Sequence, residues 1–310
     1  MPRSEPFSGV LAPVITPFDP ALAPDADRLA RQCRWLQSQG VGLALFGTNS
    51  EGNSMSVDEK KTLLDRLVAS GIDPERMLPG TGACALTDAV TLTRHAVGLG
   101  CGGVLMLPPF YYKGVSDEGL FRHYSEVVER VGSPNLRLYL YHIPPVAQVG
   151  ISLRLIERLL KAWPGMIAGI KDSSGNWENT SAMLAAGWDG FSVFSGSEIF
   201  LLRNLRAGGA GCISALANIA PSAIERLYRE WRSPDADAAQ QRLVELRNIM
   251  QKHPMIAALK AVAAHFGEDL QWQLLRPPLA ELNERQCASL IADLAEYGFT
   301  MPGFPQAMAA

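Results

Sequence analysis

The sequence predicts an α/β fold, a (β/α)8 barrel with a C-terminal helical extension. Short runs rich in Val, Ile and Leu alternate with longer amphipathic stretches, and about eight such units fit into roughly 230 residues, the size of this barrel. Beyond that point the pattern is helical only. We therefore expect a catalytic barrel domain over residues 1–232 and a C-terminal helical region over residues 233–310.

The predicted strands are continuous apolar runs, as parallel strands buried on both faces require. They cover residues 10–16, 41–47, 77–82, 103–108, 136–141, 166–171, 191–196 and 210–216. The stretches between them, such as "SVDEKKTLLDRLVASG", often open on Ser, Thr or Asp and close on Gly, as helix caps do. A doubly wound open sheet is the alternative, but no Gly-x-Gly-x-x-Gly follows the first strand.

The C-terminal region changes character after "SPDADAAQQ". Residues 236–298 carry helical patterns, including "PMIAALKAVAAHFG", without any strand pattern between them. The tail "FTMPGFPQAMAA" predicts loop or disorder.

Composition and charge narrow the function classes. The net charge is -3 and the pI is near 6.0, which gives no reason to expect nucleic acid or an anionic membrane as a partner. The five cysteines are scattered without a Cys-x-x-Cys pair, which favours reduced thiols over disulfides or a zinc site. Prolines interrupt the apolar part of the N-terminus, so it predicts neither a signal peptide nor a membrane span, and we expect a cytoplasmic protein.

One lysine stands where a barrel places its active site. In "GMIAGIKDSSGN" Lys171 ends the sixth predicted strand, and barrel active sites lie at the carboxyl ends of the strands. An ordinary lysine would point to solvent or pair with a neighbour such as Asp172. At the rim of a barrel interior it loses hydration, which disfavours the charged ammonium form, and a neutral amine attacks carbonyl carbons. Lys171 is therefore a candidate for Schiff-base catalysis.

Other predicted strand ends supply what such a lysine needs. "GTNSEGNS" after the second strand offers clustered backbone N–H groups that can hold a carboxylate, although a plain polar turn has the same composition. Tyr141 ends the fifth strand in "YLYHIPP", and Tyr111 and Tyr112 follow the fourth in "PPFYYKG". A tyrosine that faces a buried lysine can carry protons, whereas a lone aromatic is otherwise core or interface.

Seven motifs together resemble one enzyme family. They are "GVLAPVITPF", "GTNSEG", "PPFYYKG", "YHIPP", "GIKDSSGN", "FSGSE" and "GGAGCISALANIAP". Their order and spacing resemble those of the dihydrodipicolinate synthase/N-acetylneuraminate lyase family of class I pyruvate aldolases, over nearly the whole chain. The resemblance implies a (β/α)8 barrel with a helical C-terminal region, and a Schiff-base lyase that uses no cofactor and no metal.

The resemblance also implies a role for each matching residue. Lys171 would form the Schiff base with a 2-oxo acid, and Tyr141 would be the general acid/base. Thr48 would relay the proton to Tyr112, which reaches in from a neighbouring subunit. This implies a homo-oligomer, expected as a tetramer built from two dimers. The implied substrate-binding positions are Asn49, which would hold the pyruvyl carboxylate, and Gly47, Ser173, Gly196, Glu198 and Ile213.

Departures from the family pattern narrow the branch. The synthases have an arginine shortly after the "YHIPP"-type motif, where this chain has Val146, and the lyases have acidic residues where Ile199 follows Glu198. The combination is similar to 4-hydroxy-2-oxoglutarate aldolases, with Ser173 at a site serine. We expect cleavage of a 4-hydroxy-2-oxo acid to pyruvate and an aldehyde. The alternatives are a dehydratase or aldolase for 2-keto-3-deoxy sugar acids and a dihydrodipicolinate synthase-type condensation.

Two hypotheses from other classes are also open. A class II metal aldolase would need clustered ligands, and the five histidines show no spacing such as His-Glu-x-x-His. A protein that only binds a 2-oxo acid would not need Lys171 together with Tyr141 and the relay residues. His142, beside Tyr141, is expected to be packed or solvated.

Overall fold

The computed structural model describes residues 7–307, which fall into two compact units. The first unit comprises Met1–Gly9 and Asp73–Ile213, and the second comprises Val10–Ile72 and Ser214–Ala310. The expected division between residues 232 and 233 stays a prediction.

Strands and helices alternate through most of the chain. The strands are β1 (Gly9–Ala12), β2 (Gly42–Leu43), β3 (Val104–Met106), β4 (Leu138–His142), β5 (Ile167–Asp172), β6 (Ser192–Ser195) and β7 (Gly211–Ile213). The helices are α1 (Ala26–Ser38), α2 (Val57–Ala69), α3 (Leu86–Gly98), α4 (Asp117–Val131), α5 (Pro144–Ala147), α6 (Leu153–Ala162), α7 (Trp177–Ala185), α8 (Leu201–Arg206), α9 (Pro221–Arg229), α10 (Ala236–Met250), α11 (Met255–Phe266) and α12 (Glu284–Tyr297).

In the first unit, β3 to β7 pair in sequence order and every pair is parallel. All residues of β4 and β5 are buried, as expected for strands covered on both faces. The register places Tyr141 of β4 opposite Lys171 of β5, and Lys171 opposite Phe194 of β6. The sheet therefore fixes which side chains surround Lys171.

The strand predicted over residues 77–82 is reduced to a single parallel bridge between Gly80 and Leu105. The Leu105 N–H donates to the carbonyl of Pro79 at 2.9 Å, and the Thr81 N–H donates to the carbonyl of Leu105 at 3.0 Å. Pro79 has no N–H of its own to continue the ladder, so the segment runs beside β3 without becoming a full strand.

In the second unit, β1 and β2 are parallel neighbours, with Leu11 opposite Gly42. β1 ends at Ala12 because Pro13 cannot donate to the ladder. The amide of Asn218 takes over there: its Nδ2 donates to the carbonyl of Pro13 at 3.0 Å, and its Oδ1 accepts the N–H of Ile15 at 3.0 Å. The "ALANI" motif thus secures the chain just beyond β1.

The predicted C-terminal helices are present as α10, α11 and α12. The described part of the tail, residues 299–307, is loop, and it is held in place by buried Phe304, whose ring meets that of Trp35 edge-on at 5.1 Å. The last three residues of the predicted loop or disorder lie outside the described residues.

Candidate active site

Lys171 and Tyr141 form the centre of the candidate site in the first unit. Both are buried, with 4% and 3% of their surface exposed, and they stand opposite each other on β5 and β4. Residues paired in this way present their side chains to the same face of a sheet. The Lys171 Nζ lies 4.2 Å from the centroid of the Tyr141 ring. An amine and a phenol are therefore adjacent in a space closed to bulk water.

Lys171 neither points to solvent nor pairs with Asp172. It is not exposed, and its neighbour Asp172 is occupied elsewhere, because the Asp172 carboxylate accepts bonds from the Thr180 hydroxyl at 2.7 Å and the Asn179 amide at 3.0 Å. Asp172 thereby joins the end of β5 to α7. The amine of Lys171 is left beside an aromatic ring, with no ion pair inside residues 7–307.

Ser173 and Gly196 meet just beyond the ends of β5 and β6. The Ser173 N–H donates to the carbonyl of His142 at 2.7 Å, and the Gly196 N–H donates to the carbonyl of Asp172, also at 2.7 Å. A Cβ at Gly196 would come within 2.1 Å of the Ser173 Oγ, so glycine is required for this close approach. These two predicted substrate positions therefore lie side by side at the end of β5, the strand that carries Lys171.

Two further predicted positions lie at neighbouring strand ends of the same unit. Glu198 begins a short 3-10 helix after β6, and Ile213 is the last residue of β7. Both are fully buried. The structure places them at the carboxyl ends of their strands, where the fold predicts ligand contacts.

The "GTNSEG" loop follows β2 in the second unit. Gly47 is buried, while Thr48 and Asn49 are half-buried. The loop closes on itself, because the Gly52 N–H donates to the carbonyl of Gly47 at 3.0 Å and the Glu51 N–H donates to that of Thr48 at 3.1 Å. Such a closed turn presents backbone N–H groups and small side chains, the features of an anion-binding turn.

Tyr112 does not fold back over its own chain. It is 74% exposed and Tyr111 is 73% exposed, and their rings meet edge-on at 5.2 Å. The loop below them is held by Lys113, whose Nζ donates to the carbonyls of Phe110 and Ala147. Two adjacent tyrosines this exposed are typical of a surface that another chain covers. The crossing of Tyr112 into a neighbouring subunit stays a prediction.

His142 is packed, as expected. Its Nδ1 accepts the N–H of Ile151 at 2.9 Å, and 7% of the residue is exposed. Burial lowers the pKa of His142, and the nearby Asp172 carboxylate opposes that shift. The imidazole is thereby favoured in its neutral form, with the proton on Nε2.

Glu51 and Lys260, both in the second unit, form a buried ion pair that was not predicted from the sequence. Glu51 belongs to the "GTNSEG" motif, and Lys260 is the only charged residue of the first ten in α11, "MIAALKAVAA". A lysine in the middle of an apolar helix is a signal that could have been followed, since buried lysines are rare without a partner.

Two findings bear on ligands and membranes. Among residues 7–307, no three or more His, Cys, Asp or Glu side chains are grouped so that they could hold a metal ion. Within the same residues, no helix combines the length and the apolar character that a membrane span requires.

The chain is similar to known proteins over most of its length. The chain matches the Dihydrodipicolinate synthetase family over residues 6–297. An uncharacterized DapA-like lyase from Chloroflexus aurantiacus is 34% identical, covering 92% of this chain and 95% of that protein.

Two solved structures are similar in fold and sequence. Dihydrodipicolinate synthase from Agrobacterium tumefaciens has a TM-score of 0.86 and 31% identity, covering 93% of this chain and 99% of its own. YagE, a prophage protein of the dihydrodipicolinic acid synthase family from E. coli K12 solved in complex with pyruvate, has a TM-score of 0.86 and 26% identity, covering 95% and 99%. These likenesses confirm the predicted fold class, a (β/α)8 barrel with C-terminal helices.

Proposed function

Because the chain belongs to the dihydrodipicolinate synthetase family, whose members are Schiff-base lyases of the class I aldolase type, we propose that it cleaves a 4-hydroxy-2-oxo acid into pyruvate and an aldehyde. The observation that carries the proposal is the buried amine of Lys171, 4.2 Å from the Tyr141 ring. A buried amine without an ion-pair partner suits attack on a carbonyl, and an adjacent phenol suits proton transfer.

The first half of the reaction builds an electron sink. The Lys171 amine attacks C2 of the substrate and water leaves, which gives an imine that is protonated to the iminium. Tyr141 removes the proton of the C4 hydroxyl, relayed through Thr48 and Tyr112. The C3–C4 bond then breaks, its electron pair moves into the iminium, and the aldehyde departs.

The second half restores the enzyme. The remaining enamine takes a proton at C3 from Tyr141, and water hydrolyses the imine to pyruvate and the free Lys171 amine. The iminium accepts the electron pair of the C3–C4 bond, so the proposed reaction uses neither a metal nor a cofactor.

The proposed substrate contacts divide between two groups of residues. Asn49 and the backbone N–H groups at Gly47 would hold the carboxylate of the 2-oxo acid. Those at the ends of the first unit's strands would contact the remainder of the substrate: Ser173, Gly196, Glu198 and Ile213. The YagE structure, a relative that holds pyruvate, supports a pyruvyl moiety as the common part.

Val146 argues for the aldolase over the synthase-type condensation. It is 61% exposed at the position where the resembling synthases have an arginine, and an aliphatic side chain cannot bind the carboxylate of the aldehyde substrate. The similarity to a dihydrodipicolinate synthase keeps that condensation as the second candidate.

A panel of 4-hydroxy-2-oxo acids, assayed for pyruvate release, tests the proposal. We expect 4-hydroxy-2-oxoglutarate to release pyruvate, and borohydride to trap pyruvate on Lys171 in a form that peptide mass spectrometry locates. Loss of water without pyruvate release from 2-keto-3-deoxy sugar acids would favour a dehydratase. Trapping at no lysine, with pyruvate bound but no turnover on any substrate, would reduce the protein to a 2-oxo acid binder.

We further propose that the active form is a homo-oligomer, a tetramer of two dimers, in which Tyr112 completes the site of its neighbour. The exposure of Tyr111 and Tyr112 supports this proposal, because apolar and aromatic surface is typical of interface cores. Sedimentation of the purified protein tests it, and a fully active monomer would contradict it.

A further inference from the structure

A buried ion pair joins the "GTNSEG" loop to helix α11. Lys260 is fully buried in α11 and its Nζ pairs with the carboxylate of Glu51, which is 3% exposed. The same Nζ donates to the carbonyl of Leu274 at 2.6 Å and lies 4.4 Å from the centroid of the Phe18 ring. Desolvation lowers the pKa of Lys260, and the Glu51 carboxylate opposes that shift. A pair of this kind is costly to bury, and an apolar pair of the same volume would pack as well.

Glu51 is held from a second direction. Its Oε2 accepts the N–H of Arg276 at 2.9 Å. The Arg276 guanidinium donates a hydrogen bond to the carbonyl of Ser54 at 2.7 Å and forms an ion pair with Glu59 at the start of α2. The segment from Glu51 to Glu59 is thus tied at both ends to residues that follow α10.

The loop that contains Glu51 has unfavourable backbone dihedral angles. Phe46 and Glu51 have φ values of 58° and 55°, in the left-handed region that non-glycine residues seldom occupy. A Cβ at Gly52 would lie 2.0 Å from the carbonyl oxygen of Phe46, so this turn requires glycine at position 52. Conformations of this type persist only where surrounding contacts determine them. The contacts that meet the loop at Glu51 come from Lys260 and Arg276.

We propose that Glu51 and Lys260 are positioning residues that hold Thr48 and Asn49 in the geometry for binding and proton transfer. This inference rests on the proposed function of the loop. It assigns the C-terminal helix α11 a part in the reaction, because its lysine fixes a loop that lies more than two hundred residues earlier in the sequence. Neither residue touches the substrate in this proposal.

The test removes the charge of Lys260 while keeping its length. In Lys260→Met we expect kcat/KM for pyruvate release to fall about a hundredfold, the order of effect of a displacement of about 1 Å. The pyruvate concentration for half-maximal borohydride trapping should rise about tenfold, the order of one lost hydrogen bond to a charged group. Hydrogen exchange of the peptide covering residues 44–55 should become faster.

Arg28→Met is the matched control. Arg28 and Asp269 form an ion pair in the same unit, with side chains 11% and 10% exposed and Nε 2.7 Å from Oδ2, and neither is part of the loop. Its removal should lower the melting temperature while kcat/KM, the trapping curve and exchange of residues 44–55 stay at wild-type values.

Glu51→Asp separates positioning from stability if Lys260→Met fails to fold. It keeps both charges and shortens the anchor by one methylene, so the loop should move although the pair remains. The double variant Glu51→Gln/Lys260→Met removes both charges and should recover melting temperature without recovering the trapping constant.

Each result decides one question. Wild-type kinetics and loop exchange in Lys260→Met and Glu51→Asp would overturn the positioning role. Equal losses in Arg28→Met would reduce it to general stability. If wild-type protein is not trapped with pyruvate, the proposed function fails, while faster loop exchange in Lys260→Met alone would still show that the pair orders the loop.

Discussion

The two groups of residues that we propose for the site, the strand-built half and the loop-built half, are built by different means. Lys171 and Tyr141 are placed by the register of two paired strands, and the backbone ladder sets their separation. Thr48 and Asn49 lie on a strained turn that is held by a buried ion pair. A strand pair tolerates changes around it because its geometry is repeated along the sheet, whereas a turn depends on each contact that fixes it. We therefore expect substitutions in the strand-built half to remove a reacting group while the fold is kept. We expect substitutions in the contacts of the loop-built half to displace Thr48 and Asn49.

The largest effect should come from Lys171→Ala. Pyruvate release should be abolished and borohydride should trap no adduct, because no other amine stands at that position in the site, while circular dichroism and the melting temperature show that the fold is kept. Lys161→Ala, at an exposed lysine in α6, is the control and should behave as wild type. Normal turnover by Lys171→Ala would remove the Schiff base from the mechanism.

The next effect tests the second member of the strand-built half. Tyr141→Phe should lower kcat by a factor on the order of a hundred or more, the usual scale of a lost general acid/base, and should still form the imine slowly. Tyr139→Phe is matched in strand and burial, since Tyr139 lies two residues earlier on β4 and is 1% exposed. It loses the bond that its hydroxyl accepts from the Phe7 N–H, so it should lower stability and leave kcat unchanged. Equal kcat values for the two variants would exclude Tyr141 as the proton carrier.

What the sequence predicts well follows the same division. The strands with Lys171 and Tyr141 are continuous apolar runs whose ends are visible, and the alternation of strands and helices predicts parallel pairing, so this half and the fold class could be inferred directly. Family membership then confirms the class of enzyme, a Schiff-base lyase.

What the sequence could not show depends on distance along the chain. Glu51 and Arg276 are 225 positions apart in the sequence. No local sequence pattern predicts that the Glu51 carboxylate accepts a hydrogen bond from the Arg276 backbone N–H. The short form of the strand predicted at 77–82 has a local cause, because Pro79 interrupts the apolar run on which that prediction rests.

A third prediction concerns the surface that the single chain leaves open. Tyr112→Phe should reduce kcat about tenfold or more if its hydroxyl completes the relay in a neighbouring subunit. Tyr111→Phe is the control, because its ring is equally exposed and should contribute packing only.

Mixing subunits sharpens this test. The Tyr112→Phe and Lys171→Ala proteins should each be impaired or inactive alone. A mixed dimer should have one site with Lys171 from one chain and Tyr112 from the other. Activity should return in the mixture if the tyrosine crosses the interface. No recovery in mixtures that sedimentation shows to be mixed oligomers would confine Tyr112 to its own chain.

The smallest expected effect tests how dry the strand-built half is. Burial lowers the pKa of His142, so below about pH 6.5, the ordinary value, the unfolded chain binds a proton at this side chain that the folded chain resists. Stability should therefore fall as the pH decreases from about 6.5 until the lowered folded pKa is reached, and the Asp172 carboxylate limits the size of the fall. His142→Asn removes this titration while keeping an acceptor for the Ile151 N–H, so the melting temperature of wild type should drop relative to that of His142→Asn between pH 7 and pH 5. A difference between wild type and His142→Asn that is constant with pH would mean that water reaches the end of β4 as freely as it reaches the surface.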